Sequence, residues 1–240
     1  MEYAVNDLVR EVRVCIDQNM TSEALSGLGD VDTLSLEDII RSKIADAARV
    51  VERAAPAHLL DSGRAFACSI GWDNVAGVGS GHIHLPDDFL RLVCFQMSDW
   101  SHAVYEPIGQ SDPLYARQHS RFPGLRGSPQ RPVVAIVSQP IGQVLEFYSC
   151  TAGEDVFVKQ ARYIPIPRIK PRTNVMTGET NPTGEDVIDL CEKLKPSIVY
   201  YTAYQTALTI GDEKLAAAML GTSKDLMEVE SGNGGNDVAT

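Results

Sequence analysis

The hydrophobic period changes twice along this chain, and that change limits its fold more than any other feature. Leu36, Ile40, Ile44, Ala47 and Val51 recur at helical spacing, opposite Glu37, Arg41, Asp46, Arg49 and Glu52. Residues three and four apart share one helix face, so this stretch is an amphipathic helix. Ser35 suits its N-cap, Glu37 and Asp38 favour the dipole in its first turn, and Pro56 stops it. Residues 4–18 repeat the pattern more briefly, with Leu8, Val12, Cys15 and Ile16 on one face.

From about residue 63 to 168 alternation takes over. Strands are expected at Ala65–Trp72, Gly81–Leu85, Phe89–Met97 and Val156–Ile164, the last stopped by Pro165 and Pro167. Val133–Ser138 and Gln143–Tyr148 form a hairpin across Gln139-Pro140-Ile141-Gly142, a turn signal. Helical spacing returns over Gly184–Ile210, with Val187, Leu190, Leu194, Ile198, Tyr201 and Leu208 on one face. Pro196 inside it predicts a kink or break near Lys195. A last helix is expected over Asp212–Met227. The fold class is therefore α+β: N- and C-terminal helices packed as a bundle, with an inserted antiparallel β-sandwich or partial barrel of about five to seven strands. The divisions fall at 1–62 (helices), 63–168 (β-domain), 169–183 (linker), 184–227 (helices) and 228–240, a flexible, acidic, Gly-rich tail.

Two segments, Tyr105–Arg131 and Pro165–Thr183, look longer than a connection needs and read as arms that order against a neighbour. Charge sharpens this. The 240 residues carry a net charge of −11, yet Pro113–Pro132 holds Arg117, Arg121, Arg126, Arg131 and His119 with no acidic residue. A second basic run is Lys159, Arg162, Arg168, Lys170 and Arg172. Acid gathers toward the two ends. Oppositely charged regions on one molecule suit docking onto copies of itself or onto acidic partners. The overall acidity argues against a sequence-reading DNA-binding domain.

Catalytic patterns are absent from this reading. His82 and His84 share a strand face but lack an obvious third metal ligand, although Asp87, Asp88, Cys94 and His102 could fold nearby. Asp87-Asp88 beside Pro86 reads as a turn. Ser69-Ile70-Gly71 is no nucleophile elbow, and Gly77-Val78-Gly79-Ser80-Gly81 is no phosphate loop. The five cysteines, Cys15, Cys68, Cys94, Cys150 and Cys191, are scattered and never in a CxxC pair, which suits reduced thiols. No enzyme activity, metal or cofactor is expected. A carbohydrate- or ligand-binding module, with Trp72 or Trp100 stacking on a sugar, is the rival reading; a metal hydrolase using His82 and His84 is third.

Ile83-His84-Leu85-Pro86-Asp87-Asp88-Phe89-Leu90-Arg91-Leu92-Val93, Ser111-Asp112-Pro113-Leu114-Tyr115-Ala116 and Arg131-Pro132-Val133-Val134-Ala135-Ile136 resemble a run in virion proteins of tailed bacteriophages. Leu194–Tyr204 and Ile210–Leu220 resemble the closing helices of the same group. Over about residues 35–227 the chain is similar to head–tail adaptor or tail tubular ring (connector) proteins, closest to ring proteins of crAss-like Bacteroides phages. The resemblance implies a homo-oligomeric ring of about twelve copies in the virion, made in the host cytoplasm. Its partners would be the portal, neighbouring tail rings and genomic DNA sliding through the channel, with no membrane. The interface residues expected on this basis are Tyr115, Arg117, Arg121, Phe122, Arg126 and Arg131.

Overall fold

A computed structural model of the chain describes residues 1–19, 35–66, 69–73, 79–120, 122–140, 142–151, 156–172 and 185–232. In chain order the elements are β1 (Glu2–Ala4), α1 (Val5–Asn19), α2 (Leu36–Ala54), β2 (Arg64–Ala65), β3 (Gly71–Trp72), β4 (Gly79–His84), β5 (Phe89–Met97), β6 (Ile108–Gly109) and α3 (Pro113–Gln118). They continue with β7 (Val134–Gln139), β8 (Gly142–Cys150), β9 (Val158–Pro165), β10 (Ile169–Pro171), β11 (Asp186–Asp189), α4 (Lys195–Ile210) and α5 (Glu213–Gly232). The protein is mixed α+β, and among the described residues its three sheets are not closed into a barrel. Two compact units divide the chain, residues 1–61 with 167–240, and residues 62–166.

In the first unit, α2 begins where its cap predicts: Ser35 Oγ accepts a hydrogen bond from the Asp38 amide at 3.2 Å. Its buried stripe of Ile40, Ile44, Ala48 and Val51 joins Leu8, Val12 and Ile16 of α1 and Ile198, Ala203 and Ala207 of α4 in one apolar cluster. On α5, Leu215 and Met219 close the same cluster. Ser197 and Ser223 are both buried, each hydroxyl donating to the other residue's carbonyl at 2.9 Å. Small side chains let α4 and α5 approach there.

The long helix expected from Gly184 is not what forms. Asp186–Asp189 is instead the central strand of a sheet ordered β1-β11-β10, antiparallel on both sides. Val187 and Ile188 are β-branched and favour a pleated surface, and Ile188 is wholly buried. The break expected near Lys195 is where helix α4 begins, so Pro196 occupies its first turn, where its missing N–H is no loss. Gly211, at φ 90°, caps the far end, its N–H bonding to Ala207 O at 3.0 Å. Helix α5 runs to Gly232, past the point at which the flexible tail was expected to begin; residues 233–240 lie outside the described residues.

The second unit holds the other two sheets, ordered β2-β9-β5 and β3-β4-β8-β7-β6. Phe89, Leu92, Phe95 and Met97 of β5 share a core with Ile83, Leu145 and Phe147 of the five-stranded sheet. The β7–β8 hairpin forms across the expected turn, Gln139 opposite Gly142, whose φ of 126° suits glycine. Two expectations change. Ala65–Trp72 is not one strand: β2 and β3 belong to different sheets, and residues 67–68 are outside the described set. The β6–β7 pair is parallel, so the architecture is not purely antiparallel.

Candidate interaction surface

The Tyr105–Arg131 segment is not an unstructured arm. Asp112 caps α3, its Oδ1 accepting from the Leu114 amide at 2.8 Å, and Pro113 stands at the first helical position. Tyr115 and Ile108 pack against Ala135, Val137 and Tyr148 on the five-stranded sheet. Tyr115 donates its hydroxyl proton to Glu146 Oε2 at 3.1 Å, Tyr148 donates to the same oxygen, and Gln139 Nε2 donates to Oε1 at 3.3 Å. Burial first, and then the Glu146 charge, push both tyrosine pKa values up, so both remain donors. His119 sits edge-on to both rings, 4.8 Å from Tyr115 and 5.4 Å from Tyr148.

Beyond α3 the chain is stitched back on itself. Gln118 is buried; its amide donates to Leu114 O at 3.1 Å and its Oε1 accepts from the Gly127 amide at 2.8 Å. Arg126 Nε donates to Ser120 O. Ser128 and Arg131 exchange both backbone bonds, and Ser101 N–H donates to Pro129 O at 2.9 Å. A Cβ at Gly127 would lie 2.1 Å from Ser149 Oγ, the atom that accepts from the Val133 amide at 2.9 Å. The result is a folded lobe.

Its outer side is apolar and cationic. Leu114 (42%), Phe122 (63%) and Leu125 (53%) are exposed, as are Arg117 and Arg131. Of the expected interface residues, Phe122, Arg117 and Arg131 therefore reach the surface. Tyr115 and Arg126 are half-buried, the first with its hydroxyl turned onto Glu146 and the second with its guanidinium on the Ser120 carbonyl. Arg121 lies outside the described residues. Leu114, Leu125, Gln118 and Glu146 were missed. The Asp112-Pro113 pair, a helix-start signal, could have revealed α3 and with it Leu114.

In the second basic run Lys170, Arg172 and Arg162 have partners within the chain, while Lys159 and Arg168 are exposed. Lys170 pairs with Glu2 at 2.8 Å and Asp189 at 3.1 Å, and Arg172 with Glu185 at 2.8 Å, across the β1-β11-β10 sheet. Arg162 donates to Gly63 O at 2.9 Å.

The remaining candidates sort by their surroundings. His82 and His84 contact each other edge-on at 5.8 Å, and His82 Nδ1 lies 3.6 Å from Asp73 Oδ1. Among the described residues no three His, Cys, Asp or Glu side chains are grouped to hold a metal. Asp88 accepts from the Tyr163 hydroxyl at 2.8 Å, and burial, with Asp88 beside it, pushes that tyrosine up to about 12. Trp100 is buried against Phe95 and cannot stack on a sugar, whereas Trp72 is 39% exposed. Cys15, Cys94, Cys150 and Cys191 are thiols and not disulfides, and burial raises all four, Cys150 to about 12; Cys68 lies outside the described residues. Among the described residues no helix is long and apolar enough to cross a membrane. No protein-family model matches the chain, and no curated protein matches it at the required significance.

Proposed function

We propose that this protein is a structural virion protein of a tailed bacteriophage, a ring-forming head–tail connector subunit that joins portal to tail and lines the DNA channel. The finer architecture proposed with it is a helical bundle carrying an inserted β-sandwich. The observation that carries this reading is the lobe: Phe122, Leu114, Leu125, Arg117 and Arg131 are all exposed on a segment held by the part-buried hydrogen bonds of Gln118. Exposed aromatic, aliphatic and arginine side chains are the composition of interface anchors, and a surface organised beforehand loses little entropy on docking. An acidic wall would also let DNA slide, because it repels phosphate.

Light scattering of the purified chain, alone and with a candidate portal, tests this. Portal-dependent assembly into a species of about a dozen copies is the expected result. A strict monomer indifferent to the portal overturns it. A carbohydrate-binding module is the second reading, favoured by the exposure of Trp72; a glycan whose binding is lost in Trp72→Ala would establish it.

A further inference from the structure

We draw no further inference here: the strongest candidate, the groove of about 520 Å³ along β9 walled by Phe66, Ile70, Phe157 and Val158, is an unpartnered apolar surface, and nothing in the structure shows what covers it.

Discussion

Glu52 and Cys191 meet across 139 residues of sequence: the Cys191 amide donates to Glu52 Oε1 at 3.3 Å inside the helical core. Glu52 is 4% exposed, and burial raises its pKa from 4.5 to about 7, against the opposing pull of that hydrogen bond. Below pH 4.5 folded and unfolded chains both hold the proton. Between 4.5 and 7 only the folded chain does, so stability falls as pH rises through this window, by about 3 kcal/mol in all. Glu52→Gln keeps the acceptor and removes the charge. Urea unfolding at pH 5 and pH 8 should show the wild type losing about that much stability and the variant nearly none of it.

Gln118 holds the lobe shut by bonding Leu114 O and the Gly127 amide at once. Gln118→Ala leaves the half-buried Gly127 N–H without its acceptor, a loss of about 1 kcal/mol. Limited trypsin digestion should cut at Arg117 and Arg126 markedly faster than in the wild type, while helical circular dichroism stays unchanged. Unaltered protection would contradict the role given to Gln118.

Gly127 is needed for close approach. In Gly127→Ala the new Cβ must displace Ser149 Oγ, breaking the bond to the Val133 amide as well. A destabilisation of about 1–3 kcal/mol is expected. Because one hydroxyl causes the clash and is lost in the process, adding Ser149→Ala should cost little more, and the double-mutant cycle should be clearly non-additive.

The α4–α5 contact at Ser197 and Ser223 tolerates loss of polarity but not added volume. Ser197→Ala with Ser223→Ala removes both hydroxyl donors together and should cost about 1 kcal/mol or less, since no buried donor is orphaned. Ser223→Leu must force the helices apart and should cost about 3 kcal/mol or more. Thermal unfolding of the two variants separates these effects.

Arg117 and Arg131 are the exposed cations of the lobe, whereas Arg126 is tied to Ser120 O and its loss would disturb the fold. Arg117→Glu with Arg131→Glu should leave the melting temperature within a few degrees of wild type and weaken self-association at least about tenfold. Sedimentation velocity at low salt measures this. Unchanged assembly would remove the arginines from the contact.

How much was legible follows from where each signal resides. Helix α2 could be read from Ser35 to Ala54 because its cap, its stripe and the stop at Pro56 are all local, and the β7–β8 hairpin could be read because its turn residues sit between two alternating runs. Strand β11 could not. Val187 and Leu190 fit a helical stripe as well as a strand, and pairing with β1, some 185 residues away, decides between them. The lobe shows the same division. Its arginine-rich, acid-free composition could be read, but a run without a period does not say which side chains turn inward.

By itself the sequence determined the alternation of helical and strand segments, their caps and turns, and the segregation of charge, because each depends on residues within a few positions of one another. Tertiary structure alone decided that Tyr115 faces Glu146 while Phe122 faces solvent, that Lys170 and Arg172 are neutralised in the sheet, and that Arg117 and Arg131 remain exposed. Those outcomes depend on which distant strands lie alongside. A hydrogen bond or an ion pair forms only where the fold brings its two ends within about 3 Å.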